Sequence, residues 1–327
     1  MNAGLVRTDL TNANELQQSV LLADGVFGAP NTQITFGRNV KAGLGIGLAA
    51  ALCAGALVHA APRIEAMVTV PPQRAFVERI GGERVAVTVM VPPGFDPHSY
   101  EPRPAQLIAL QRARVYFALG DAFENAWLSR LAALAPAVRI VRTDTGIEKV
   151  GSARPGGGRD ELGGDPHIWL SPPLVKMQAR QIRDGLIAVD EPGRDAYAAN
   201  YERFAADLDR LHSDLTAEFR ELERREFVVF HPAWTYFAQA YGLTQTAVEV
   251  EGKTPTPRQM QRLAERMRER RIRVVFAQPQ RSLHLAETVA ASVGARVVLA
   301  DDLAENWEDN LRSVARQLRS ALMEGGP

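Results

Sequence analysis

Cysteine is almost missing from this chain: its 327 residues hold one, Cys53, inside the only long apolar run. Beyond residue 60 there is none, so disulfides and thiolate ligands are excluded from the bulk of the protein. Net charge is missing too, with 38 basic residues against 38 acidic. That balance removes the electrostatic case for DNA, RNA or an anionic membrane surface. One cationic cluster, Arg262, Arg266, Arg268, Arg270, Arg271 and Arg273, is interleaved with Glu265 and Glu269. It reads as the solvated face of a helix. No Gly-x-Ser-x-Gly elbow occurs, which speaks against a Ser-His-Asp hydrolase. The Gly-rich stretch 151–165 lacks the Gly-Lys-Ser/Thr ending of a phosphate cradle and reads as a solvent loop.

The long apolar run itself, 42–58, follows Arg38 and Lys41 and ends in His59-Ala60-Ala61-Pro62. A basic n-region, a short apolar h-region and small residues describe a secretory signal, with cleavage near Ala60. A retained N-terminal anchor is the alternative. Residues 1–37 fit neither signal nor core, and an upstream start codon accounts for them most simply. Ala50-Ala51-Leu52-Cys53 has a bulky Leu52 where a lipoprotein box requires a small residue, so a lipid anchor is not expected. The protein is therefore expected in the periplasm.

From residue 66 onward strand-like and helix-like segments alternate. Strands are expected at 66–70, 85–91, 115–119 and 139–141, with helices at 72–80, 104–112 and 126–134. A second series has strands at 227–230, 246–250, 274–277 and 297–299, with helices at 233–241, 257–271, 282–293 and 307–323. Such alternation predicts an α/β fold in which each of two lobes carries a parallel sheet flanked by helices. Between the series, a helix at 173–189 precedes a longer one over 194–223. Tyr197, Tyr201, Phe204, Leu208, Leu211, Leu215 and Phe219 recur there near a 3.6 period. Roughly thirty helical residues span about 45 Å, enough to run along both lobes. The expected organisation is a leader over 1–60, a first lobe over 61–193, a linking helix over 194–224 and a second lobe over 225–327. No internal sequence repeat relates the lobes.

Four residues stand out against this frame. His98, His231 and Asp301 each follow an expected strand, where open α/β sheets place their ligands. His167 comes from a loop of the first lobe. Three imidazoles and a carboxylate form a complete ligand set for a borderline-soft cation such as zinc, leaving no obvious place for a substrate. That pattern suits a site that holds metal in an interlobe crevice and does no catalysis. His212 and His284, at polar helical positions, read as structural, and His59 leaves with the signal. The competing enzymatic reading is a zinc hydrolase with Glu101 as general base. The fourth ligand argues against it.

Asp96-Pro97-His98-Ser99-Tyr100-Glu101-Pro102 and Asp165-Pro166-His167-Ile168-Trp169-Leu170-Ser171-Pro172 carry a wider likeness. So do His231-Pro232-Ala233-Trp234 with Tyr241-Gly242-Leu243, and Glu251-Gly252-Lys253-Thr254-Pro255-Thr256-Pro257. In this order, over about 65–323, the chain resembles the zinc/manganese substrate-binding proteins of bacterial ABC importers. The resemblance implies two α/β lobes on one long helix and a buried metal held by His98, His167, His231 and an aspartate. Asp301 occupies the aspartate's place, and Asp302 sets a second carboxylate beside it. It also implies a membrane permease as partner and a monomer with no enzymatic activity. Manganese-binding relatives resemble a site with two histidines and two carboxylates, whereas His231 fills the third place here. Imidazole favours zinc, so Zn2+ is the expected cargo, with Mn2+ or iron as the alternative. The stretch 151–165 lacks the histidines that many zinc-binding relatives carry before their second ligand. Some relatives are called adhesins, and nothing in this sequence requires that role.

Overall fold

Val115-Tyr116-Phe117-Ala118 and Val274-Val275-Phe276-Ala277 are buried at every position, the mark of strands covered on both faces. In the computed structural model they are central strands of two four-stranded parallel sheets. The structure describes residues 63–151, 164–249 and 255–324. The expected leader, Cys53, most of the Gly-rich stretch and Glu251 to Thr254 lie outside the described residues.

The first sheet is built from β1 (Ile64–Val68), α1 (Pro71–Gly81), β2 (Val85–Val89), α2 (Pro104–Arg112), β3 (Val115–Ala118), α3 (Ala122–Leu134) and β4 (Arg139–Arg142), in strand order β2-β1-β3-β4. Two helices follow, α4 (Pro172–Val189) and α5 (Arg194–Phe219). The second sheet uses β5 (Glu226–Val229), α6 (Thr235–Ala240), β6 (Thr244–Ala247), α7 (Pro257–Glu269), β7 (Val274–Ala277), α8 (Leu283–Ser292) and β8 (Arg296–Leu299), in order β6-β5-β7-β8, and α9 (Trp307–Met323) closes the chain. Both sheets thus share one topology, although no repeat in sequence announces it. The edge strands β4 and β8 carry Arg139, Arg142 and Arg296 at their ends, charges that discourage pairing with another chain.

Side chains alternate across a pleated strand, and here the alternation divides three cores. Val115 and Phe117 join Val229, Val274 and Phe276 in one apolar core that runs through both sheets. Tyr116 and Ala118 face a second core with Met67, Phe123 and Leu131. Val228 and Val275 face a third with Leu263, Met267 and Val289. Helix α5 lies along the shared core, burying Tyr197, Phe204, Leu208, Leu211, Leu215 and Phe219 on one stripe. Its 26 residues span about 39 Å at 1.5 Å per residue. It ends four residues before the expected 223.

Two tryptophans lace the lobes together. Trp169 Nε1 donates to the Asp302 carbonyl at 2.6 Å, and Trp307 Nε1 donates to the Trp169 carbonyl at 2.7 Å. Asn310 Nδ2 donates to the Asp301 carbonyl at 2.6 Å. Phe76 meets Trp307 edge to face, with ring centroids 4.9 Å apart.

Other boundaries move for local reasons. Helix α3 starts at 122 and not 126, because the Asp121 carboxylate accepts from the Glu124 N–H at 2.8 Å and caps it there. Helix α6 starts at 235 and not 233, and just before it the Trp234 backbone N–H donates to Gln245 Oε1 at 2.7 Å. Strand β6 lies at 244–247, two residues early, in register with Glu226–Val229. Among the described residues no helix is long and apolar enough to cross a membrane.

Replacing Trp307 by Phe keeps the aromatic contact but leaves the buried Trp169 carbonyl without its donor. The expected cost is about 1–3 kcal/mol of unfolding free energy, read by urea denaturation of the metal-free protein. An unchanged midpoint would contradict the tether.

Candidate metal centre

Asp-Pro-His occurs twice, and both copies fold alike. The Asp96 carboxylate accepts from the His98 N–H at 3.0 Å, and the Asp165 carboxylate accepts from the His167 N–H at 3.0 Å. These are turns in which an aspartate bonds the backbone two residues on. The intervening proline fixes φ and holds each turn. Each histidine is thus delivered from a short, stiffened loop. His98 lies beyond β2, and His167 precedes α4. His231 comes from the second sheet, two residues past β5.

These loops bring the three histidines together. Each offers a ring nitrogen, and the three nitrogens lie within 4.8 Å of one another. Ring centroids stand 5.9 Å apart for His98–His167, 5.1 Å for His98–His231 and 5.2 Å for His167–His231. His167 and His231 are buried, 4 % and 7 % exposed, while His98 forms the outer corner. Nitrogens this close can share one ion, given Zn–N distances of about 2.0–2.1 Å.

Hydrogen bonds outside the trio decide which nitrogen faces in. His167 Nδ1 lies 2.7 Å from Asp165 Oδ1, and His231 Nδ1 lies 2.9 Å from Glu249 Oε2. A carboxylate at Nδ1 fixes the proton there and leaves the Nε2 lone pair for a metal. Gln278 Nε2 donates to the His231 carbonyl at 3.1 Å and steadies its loop. The same carboxylate chemistry tunes protonation. Burial would depress His167, but Asp165 more than offsets it and raises the pKa. Burial, then the neighbouring His167 charge, lowers His98 to about 4 and His231 to about 2.

The structure does not bring Asp301 into the trio. Its Oδ1 accepts from the Leu303 N–H at 2.9 Å and from Gln280 Nε2 at 2.7 Å. Asp301 therefore plays the turn-forming part that Asp96 and Asp165 play elsewhere. Its neighbour Asp302 is 6 % exposed and pairs electrostatically with His167. It also lines two cavities of about 10 Å³ each, one with His98 and His167 and the other with His98 and His231. Each has room for about one water-sized sphere. Burial pushes Asp302 up to about 6. Asp121 lines the first cavity too; burial, then the Glu124 charge, raises it to about 8, and its Oδ2 has no partner.

Several of these residues carry no signal in sequence. Glu249 and Arg281 reach the site because β5 neighbours both β6 and β7, and that order is invisible in an unaligned chain. Asp165 had a signal, the repeated Asp-Pro-His. His212 stays away from the trio, its Nδ1 3.4 Å from the Tyr241 hydroxyl, and His284 lies on α8. Glu101 is exposed. Larger hollows of about 480 Å³ beside Glu218 and Arg319, and about 470 Å³ beside Met177 and Tyr236, contain none of the three histidines.

Two parallel-sheet lobes joined by a long helix, with a histidine trio between them, define a metal-binding protein of the solute-binding class. The chain belongs to the family described as zinc-uptake complex component A, periplasmic (ZnuA), whose model matches residues 67–321. It is 40% identical to the protein in a crystal structure of ZnuA, with a TM-score of 0.75 over 80% of this chain and 99% of that one. A ZnuA deletion mutant with zinc bound is also 40% identical, with a TM-score of 0.74 over 79% and 98%. The manganese-binding lipoprotein MntA of Halalkalibacterium halodurans is 32% identical over 222 residues, 67% of this chain and 72% of that protein.

The shifted pKa values make a prediction whose sign follows from their directions. His98 and His231, both lowered, are already neutral at pH 5 and have no proton to lose. His167, raised, and Asp302, at about 6, hold protons that an incoming ion must expel. Zinc binding followed against pH is expected to release about one to two protons per ion between pH 5 and 7, and to weaken as pH falls. A slope of three would mean that all three imidazoles titrate there as free ones do.

Proposed function

We propose that this chain captures Zn2+ in the periplasm and delivers it, as a monomer, to the membrane permease of an ABC importer. The observation that carries this reading is the trio of histidine nitrogens within 4.8 Å, contributed by both lobes and largely buried. Three imidazoles, neutral once His167 has given up its proton, suit a borderline-soft cation better than a hard one. The zinc-bound relative at 40% identity supports the same choice. No general base is needed for such a task, and Glu101 is exposed and is not among the residues that line the two small cavities beside the histidines. The extension over 1–60, the lobe over 61–193, the helix over 194–224 and the lobe over 225–327 are the proposed working parts.

For the ligand set we propose His98, His167, His231 and one carboxylate of the Asp301–Asp302 pair. Asp301 is the expectation from resemblance, whereas cavity lining and charge coupling to His167 favour Asp302. Zinc titrations of Asp301→Asn and Asp302→Asn separate the two. Asp302→Asn is expected to weaken binding about tenfold or more, since loss of a ligand or its supporting group costs about 10–100-fold. Asp301→Asn is expected to act chiefly on stability through the Leu303 and Gln280 bonds. The reverse ranking would return Asp301 to the fourth place.

Manganese is the second reading, favoured by the manganese-binding relative at 32% identity and by the carboxylates near the histidines. Metal-stripped protein refilled with zinc and manganese together, and counted by elemental analysis, distinguishes them. Near-stoichiometric zinc is expected in the wild type, with manganese gaining in His231→Glu. Preferential manganese in the wild type would overturn the zinc assignment, and retention of neither metal would overturn capture altogether.

A further inference from the structure

The trio has a cationic neighbour that the capture reading does not use. Arg281 follows β7, and its side chain is only 17% exposed. Its Nη2 lies 3.4 Å from His231 Nε2 and 3.3 Å from Asp96 Oδ2. Its Nη1 lies 3.5 Å from Glu249 Oε1. The guanidinium therefore spans the lobes, between the loop that carries His98 and the carboxylate that orients His231.

The position conflicts with metal at His231. Glu249 holds the proton of that ring on Nδ1, so Nε2 carries the lone pair. A guanidinium N–H beside Nε2 can only donate to that lone pair, which is the pair a metal needs. An ion about 2.0–2.1 Å from Nε2 would share that side of the ring with a positive group 3.4 Å from the same atom. Both cannot stay. Arg281 is also held loosely: its three contacts run from 3.3 to 3.5 Å. By comparison Arg84 meets Asp190 at 2.8 Å and Lys149 meets Asp144 at 2.8 Å. Asp96 and Glu249 can keep the guanidinium nearby after it leaves His231, ready to return.

We propose that Arg281 is a resident cation that competes with the transported metal for His231, weakening capture and speeding release. The proposal rests on the metal-capture reading above. Without the ion, the guanidinium neutralises Asp96 and Glu249 and occupies the His231 lone pair. When the ion enters, the guanidinium is displaced but remains close enough to repel it. The residue then lowers affinity to a level from which cargo can be handed on.

The test compares wild type with Arg281→Gln, which keeps polar bulk but no charge, and with Arg281→Lys, which keeps the charge. Zinc affinity is measured by calorimetric competition, and zinc release by transfer to a colorimetric chelator. Arg281→Gln is expected to bind zinc about tenfold more tightly and to release it correspondingly more slowly, with Arg281→Lys close to wild type. The zinc-induced rise in melting temperature should also be larger in Arg281→Gln than in wild type, a gain that mere loss of a structural ion pair would not give. Unchanged or weaker binding in Arg281→Gln, with zinc binding intact in wild type, would overturn the role of Arg281 alone. No zinc binding in wild type would instead overturn capture, and this proposal with it.

Discussion

One apolar core runs through both sheets, and the metal centre depends on it. Residues on one face of β1 and β3 and on one face of β5 and β7 pack into the same cluster, with α5 and α9 laid across it. Two lobes that share a core cannot part freely, because any opening exposes apolar side chains at about 25 cal/mol for each Å². The bonds from Trp169 to the Asp302 carbonyl and from Trp307 to the Trp169 carbonyl tighten this further by tying the Asp301–Asp302 loop and the start of α9 to the segment just after His167. The distance between His167 and His231 is thereby a property of the core, set before any ion arrives. Such a frame favours capture and release by side-chain and loop rearrangement over wide hinge closure.

Within that frame the histidines are tuned unequally. Carboxylates hold Nδ1 of His167 and of His231, yet their pKa values move in opposite directions. Burial lowers both, but at His167 the Asp165 carboxylate outweighs it, whereas at His231 burial and then the charge of His167 carry the pKa down. Two rings are thus poised as neutral donors, and one carries a proton that metal must replace. The resulting centre is preorganised in geometry but not in charge, which couples binding to pH through few groups.

The sequence disclosed much of this and hid the rest for identifiable reasons. The alternation of strands and helices was legible because β3 and β7 are uninterrupted apolar runs and because α5 keeps its apolar period to Phe219. Strand order was not legible, since pairing β5 with both β6 and β7 depends on packing between distant segments. His98, His167 and His231 could be singled out from their places after strands and from the Asp-Pro-His pairs. Glu249 and Arg281 could not, because each becomes relevant only once the sheet sets it beside His231. Asp301 and Asp302 show the limit most sharply. Adjacent carboxylates are equivalent in a string of letters, but a turn that engages Asp301 Oδ1 with the Leu303 N–H leaves Asp302 beside the cavities.

The most direct test of the central claim is the zinc K-edge absorption spectrum of the loaded wild-type protein, since it counts imidazoles at the ion. Three nitrogen scatterers at about 2.0–2.1 Å, with the outer-shell features of three imidazole rings and the balance of ligation from oxygen, are the predicted result. A spectrum with one imidazole or none would contradict the histidine trio as the place where this protein holds its metal.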